Sequence, residues 1–348
     1  MAADLKTVKT VVTFGELMLR LKPPGFLRLP QSTSLEATFG GGEANVAVSL
    51  ALFGHQTRYV SAFPANPIGD WAIGELRRHG VDTSHVLRQG ERLGIYFLEA
   101  GASQRASNVI YDRSGSAIAA IKPGQVPWTT VFQAAQWFHL TGITPALSES
   151  AAAASLESLK AAKAAGLTTS MDLNYRKKLW SPAKAGQVMA TLMPFVDVAI
   201  ANEEDCEKVF GIKAGATQVA SGELHHVQYL DVAGQMFTRF PNLTHVSITL
   251  RESHSASHNG WSGVLVDKAG HSFSRHYDLA IVDRVGGGDS FAAGLIHALM
   301  TGKDRAQAIE YAVAASALKH SISGDFNLVS LAEVEALVGG DGSGRVQR

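Results

Sequence analysis

The chain has 348 residues, 46% of them hydrophobic and 18% charged, and its 31 lysines and arginines balance 31 aspartates and glutamates. That length holds one large domain or two small ones, and the apolar share supports a folded core over most of the chain. Zero net charge argues against duplex binding, which needs surplus cations, and the one cysteine, Cys206, excludes an intrachain disulfide scaffold and fits a reducing compartment.

The start, MAADLKTVKTVVTFGE, runs straight into a strand-like stretch, so no targeting signal is expected. No apolar run reaches the roughly 18 residues of a membrane span. The expectation is a cytoplasmic protein with no membrane and no nucleic-acid partner. VVTFGEL (11–17) predicts the first strand. Residues 18–40, with KPPG and polar residues, carry no helical pattern. GEANVAVSLALFG (42–54) and WAIGELRRHG (71–80) predict helices, with apolar residues three and four apart. Residues 94–121 alternate in strand fashion around a glycine-serine turn. SESAAAASLESLKAAKAAG (148–166) and PAKAGQVMATLM (182–193) predict helices, and TTSMDLN (168–174), VDVAIAN (196–202) and THVSITL (244–250) predict strands. The tail, 338–348, is glycine-rich and expected to be disordered. The alternation predicts an α/β fold: a doubly wound, mainly parallel sheet with helices on both faces. Ligands bind at the carboxyl ends of such strands. The two stretches that break the rhythm, 18–40 and 94–121, predict a small projecting sheet.

DRVGGGDSFAAGLIHAL (283–299) carries the strongest chemical signal. Gly286, Gly287 and Gly288 lack the Cβ that would stop their amides from pointing into one concavity, and the following helix adds positive potential at its N-terminus. Together these form a hole for a phosphoryl group, with Asp289 at its mouth to take a proton from an attacking hydroxyl. Phe291, Leu295 and Leu299 mark the inward face of that helix. A plain glycine turn with Asp289 as N-cap is the other reading. No P-loop lysine follows the glycines, and no linked HRD and DFG motifs occur. FGGGEANVAVSLALFG (39–54) brings backbone close to a ligand and offers Asn45 to hydroxyls, or else is an ordinary strand-to-helix turn.

As a pair, GGGEAN and DRVGGGDSFAAG resemble the two signatures of the ribokinase-like (PfkB) carbohydrate kinases, the second being similar to D-T-x-G-A-G-D-x-F-x-x-G. With VVTFGE and the NEED at 202–205, the resemblance covers about residues 10–337. It implies a ribokinase-like main domain (10–17, 41–93 and 122–337) and a β-sheet lid (18–40 and 94–121). HLTGITPALS (139–148), SMDLNYRKKLWSP (170–182) and the pair Tyr111, Arg113 look most like the 2-keto-3-deoxygluconate kinases of that family. The implied activity is ATP-dependent phosphorylation of the terminal hydroxyl of a sugar acid.

By the same resemblance, Gly41, Asn45, Tyr96, Tyr111, Arg113 and Arg176 line the sugar-acid site, Asp289 is the base, and Gly286 to Gly288 face the γ-phosphate. Asn202, Thr249, Arg251, Gly286 and Gly288 are implied for ATP, and Asp205 or Glu204 for Mg²⁺ through water. Asp283 is implied for a monovalent cation such as K⁺, and lid-to-lid pairing for a homo-oligomer. Independently, a sugar carboxylate calls for an arginine fork, and Arg176 follows a predicted strand end, although a surface cation in the run 176–178 is the bland alternative. The rivals are a fructokinase, ribokinase or other neutral-sugar kinase of this fold, and a non-catalytic sugar-acid sensor. His254 and His258 lie in a serine-rich, loop-like stretch without HExxH, which argues against a zinc pair. Cys206 reads as a small buried residue at a helix start.

Overall fold

The computed structural model describes residues 8–213 and 223–342, so the last part of the expected disordered tail, 343–348, lies outside the described residues. Residue 338 closes the helix Leu331–Val338. In chain order the strands are β1 (Thr10–Phe14), β2 (Met18–Lys22), β3 (Glu36–Gly40), β4 (Gln56–Phe63), β5 (Val81–Asp82), β6 (Val86–Arg88), β7 (Gly94–Glu99), β8 (Asn108–Asp112), β9 (Trp137–Thr141), β10 (Thr168–Asp172), β11 (Val198–Asn202), β12 (His245–Ser253), β13 (His258–Asp267), β14 (Gly270–Phe273) and β15 (Tyr277–Ala280).

The main sheet runs β14-β13-β12-β11-β10-β9-β1-β4-β5. Neighbours from β12 to β5 are parallel, and β13 joins β12 antiparallel. The chain steps from β1 outward to β4 and β5, then returns to lay β9 against the other edge of β1. This reversal is a topological switch point, where a crevice opens at the carboxyl ends of the strands.

Alternation along each strand feeds two cores. Val12, Phe14, Phe138 and Met171 face helices Glu149–Ala164 and Pro182–Leu192. Val11, Trp137, Val198 and Ile200 face the opposite layer, which includes helices Gly287–Met300 and Arg305–Lys319. Small residues on the buried side of Glu149–Ala164, among them Ala151, Ala154, Ser155 and Ala162, let that helix sit close to the sheet. Ser148 caps it by accepting the amide of Ala151.

A separate four-stranded sheet, β3-β2-β7-β8, stands where the lid was expected. Its first two strands fall within 18–40, and the others within 94–112. Residues further on behave differently from the lid reading of 94–121: Ala117, Ile118 and Ile121 are buried in the main core. The stretch around His254 also departs from a plain loop, because β12 and β13 extend it into a long antiparallel hairpin.

Candidate active site

A cleft of about 690 Å³ opens between the lid and the carboxyl ends of β10, β11 and β12. Gly41, Asn45, Tyr96, Tyr111, Arg113, Arg176, Asn202, Glu204, Asp205, Thr249, Arg251 and Gly286 to Asp289 all line it, whereas Asp283 does not. The two glycine motifs meet here directly. Asn45 Nδ2 donates to Asp289 Oδ2 at 2.7 Å, and Asn45 Oδ1 accepts the Gly41 amide at 3.2 Å. Asn45, expected to bind sugar hydroxyls, thus orients the carboxylate opposite.

Asp289 is not the helix cap. That position belongs to Gly286, in the left-handed region at φ 84°, which leaves Asp289 in the first turn of Gly287–Met300. Each glycine of the run has its own reason. A Cβ at Gly286 would overlap the Asp325 carbonyl, and one at Gly287 would lie 2.6 Å from the His320 ring, while one at Gly288 would meet nothing within 4 Å. Gly288 is the exposed one and faces the cleft. Burial pushes Asp289 up to about 6, against the pull of Asn45 and Arg176. The helix terminus therefore does not hold it in the ordinary carboxylate range, yet at neutral pH it remains mostly ionised.

Asp172 ends β10 and Asp205 lies in the helix after β11. Asp205 Oδ1 accepts the Tyr175 amide at 3.0 Å and Oδ2 the Asn202 amide at 3.2 Å. Asn202 Oδ1 in turn accepts the amides of Glu204 and Asp205, closing a capping box. With both oxygens occupied, Asp205 fixes the strand-to-helix turns, and Glu204 is the exposed carboxylate of the pair. Burial also pushes Asp172 well up, reinforced by the charges of Asp205 and Asp289. Asn174 takes a left-handed φ of 40°, which asparagine tolerates, and its amide donates to Asp172 at 3.1 Å.

The two arginines expected to hold a sugar carboxylate differ. Arg176 is exposed at the cleft wall, donates no hydrogen bond to a described residue, and its charge lowers Asp172, Asp205 and Asp289. Arg113 is buried and paired with Glu16, which also accepts Ser116 Oγ at 2.7 Å. Its charge is therefore already neutralised. Tyr96 likewise spends its hydroxyl on Asp325, at 2.6 Å, while the partly exposed Tyr111 stands beside Arg113 and Lys178. The monovalent-cation reading of Asp283 meets a different cation: Arg20 lies 2.5 Å from Oδ2, and the amides of Val285 and Gly324 complete the carboxylate's shell.

Residues 8–328 match the family described as pfkB family carbohydrate kinase. The chain belongs to the pfkB carbohydrate kinase family. It is 35% identical to a 2-dehydro-3-deoxygalactonokinase of Haloferax volcanii over 96% of this chain and 98% of that one. It is 28% identical to a 2-dehydro-3-deoxygluconokinase of Bacillus subtilis over 91% of each. The crystal structure of a 2-dehydro-3-deoxygluconokinase from Thermotoga maritima superposes with a TM-score of 0.91, at 46% identity over 96% of this chain and 99% of that chain.

Several polar residues of this pfkB kinase were invisible as site elements in the sequence. Asp172, Arg284 and Asp325 line the cleft, and Arg284 donates to the Ala256 carbonyl at 3.0 Å. Asp172 lies two residues before the end of the strand expected at 168–174, the one sequence signal that could have singled it out. Glu43, beneath the first motif, accepts the Thr141 amide and the hydroxyls of Thr141 and Thr144, and burial pushes it up to about 7. Cys206 is buried at the helix after β11, and burial pushes its thiol up to about 12. His258 pairs with Asp278, and the described residues contain no group of three or more His, Cys, Asp or Glu able to hold a metal. Among them no helix is long and apolar enough to cross a membrane.

Proposed function

We propose that this carbohydrate kinase transfers the γ-phosphoryl group of ATP to the terminal hydroxyl of a 2-keto-3-deoxy sugar acid, with 2-keto-3-deoxygluconate giving its 6-phosphate. Arg176 is the observation that carries the reading: a cleft-facing guanidinium left free to meet a carboxylate with two N–H donors. Asp289, held by Asn45, accepts the hydroxyl proton as the oxygen attacks phosphorus and the bond to ADP breaks. The amides at Gly286 to Gly288 meet charge on the transferring group, and Asn202, Thr249 and Arg251 border the nucleotide.

Glu204, the exposed carboxylate at the cleft beside Asp205, supports a reading in which Mg²⁺ is organised there through water. When bound, that ion would neutralise phosphate charge. The reaction's use of ATP fits a cytoplasmic setting. The lid's outer strand β8, with Ile110 and Tyr111 exposed, offers an edge for pairing two lids into a homo-oligomer.

The galactonate epimer is a second reading, favoured by the Haloferax volcanii relative. A steady-state screen of both epimeric acids, fructose and ribose tests the assignment through kcat/KM. A neutral sugar ahead of both acids would overturn it, and no transfer to any of them would leave the sensor reading.

A further inference from the structure

A buried charge cluster lies behind the glycine loop. Arg20 of lid strand β2 is 2% exposed and lines no part of the cleft. Its guanidinium reaches Asp283 Oδ2 at 2.5 Å and Asp325 Oδ1 at 2.7 Å. Asp283 sits three residues before Gly286 and accepts the Val285 amide at 3.1 Å and the Gly324 amide at 3.1 Å. Asp325 also accepts the hydroxyl of Tyr96, the residue opposite Arg20 on the neighbouring lid strand β7. The Asp325 carbonyl packs so close under Gly286 that no side chain fits between them. The fully buried Lys319, whose Nζ donates to the Ile322 carbonyl at 2.9 Å, borders the same spot. One planar guanidinium therefore ties together the lid, the entry to the glycine loop and the turn that supports Gly286.

We propose that Arg20 is a positioning residue through which the lid fixes the phosphate-facing glycine loop. The inference rests on the kinase activity but is independent of which sugar is phosphorylated. Two carboxylates converge on one point in a poorly solvated interior, and without a cation between them they repel. The loop segments that carry them then lose their common anchor. Because Arg20 stands on a lid strand hydrogen-bonded to both neighbours, its location is set by the lid as a body. The glycine amides are held at their transfer geometry only while the lid supplies this cation. An ammonium cannot substitute fully, since it lacks the fixed fork that spans two acceptors.

Two variants of the full chain test this, each with thermal unfolding and full kinetics on the best acid and on fructose. Arg20→Lys keeps the charge and loses the second arm. Arg20→Met combined with Asp283→Asn removes one charge of each sign. The expected result is a kcat loss of about tenfold in the first and about a hundredfold in the second, the scale of a small misplacement of reacting groups. The sugar KM and the acid-to-neutral selectivity ratio should stay within about threefold of wild type, because neither variant touches the sugar. A merely structural role would make rate follow stability. A double variant with wild-type stability and wild-type kcat therefore overturns the proposal, as does an Arg20→Lys enzyme whose loss appears only in the sugar KM. A wild-type protein that phosphorylates nothing would instead bring down the kinase reading, and this proposal with it.

Discussion

Asp289→Asn should make the protein inactive and more stable at once. The carboxylate ionises near 3.8 in an unfolded chain and at about 6 in the fold. The folded chain holds this proton more tightly, so stability falls as pH rises from about 4 to about 6 and the full penalty is present at pH 7. Two decades of proton affinity at about 1.36 kcal/mol each give about 3 kcal/mol, reduced to about 2 because the group faces the cleft and is partly solvated. Asparagine removes that penalty and can still accept from Asn45. Thermal unfolding of the ligand-free variant at pH 7 should rise by roughly 2–3 °C for a chain of this length, and the gain should vanish below about pH 3, where the wild-type group is protonated in both states. Over the same range wild-type kcat should fall about tenfold per unit below about pH 6, while the variant's kcat, lower by about 10²-fold or more at pH 7, should change little, so that the two approach each other near about pH 4. A variant that is inactive and also less stable at pH 7 would mark Asp289 as a structural acid. Near-normal turnover would remove it as the base.

Arg176→Ala should weaken the sugar acid by roughly ten- to a hundredfold and leave weak turnover of fructose nearly unchanged, with Arg176→Lys recovering only part; an unchanged acid-to-neutral kcat/KM ratio would favour a neutral-sugar kinase. Arg113→Ala should lower turnover of both sugars together, because it strips Glu16 of its partner; a loss confined to the acid would return Arg113 to the carboxylate. Gly286→Ala should destabilise by about 1–2 kcal/mol or more through its left-handed backbone and the Asp325 carbonyl, whereas Gly288→Ala should melt like wild type and show its defect in ATP kinetics; the reverse order in unfolding would contradict the packing described. Cys206 should resist an aromatic disulfide reagent until denaturant is added; rapid labelling of the native enzyme would mean that its helix opens.

The elements that sequence reading located best are those whose burial follows a simple period. The alternating Val11 and Val12 reach opposite faces of the sheet, and the small-residue face of Glu149–Ala164 packs as its spacing suggests. Boundaries drifted where local pattern and tertiary packing part company. Residues 117–121 alternate like a lid strand yet bury Ile118 and Ile121 in the main core. The glycine motifs were legible because close approach excludes a Cβ: one at Gly40, Gly41, Gly286 or Gly287 would collide with its neighbours. Partners of charged groups were not, since nothing along the chain says that Glu16 will neutralise Arg113, or that Arg20 will face Asp283. Both pairs join residues brought together only by the small sheet's return to the body, and both engage a residue, Arg113 or Asp283, to which the family resemblance had given a ligand role.

Asn45 and Asp289 stand 244 residues apart in the chain and 2.7 Å apart in space, on helices that pack against each other. Synthesis runs from one to the other. The first strand must wait for β4 and then for β9 before both its edges are paired, and the glycine loop emerges later still. Such late, long-range closure slows folding. It also acts as a test of completeness. A chain ended before residue 286 can present the Gly41 turn, but it has no Asp289 for Asn45 to orient and no glycine run beside it. The pair that faces the cleft thus exists only once synthesis has passed the helix Gly287–Met300.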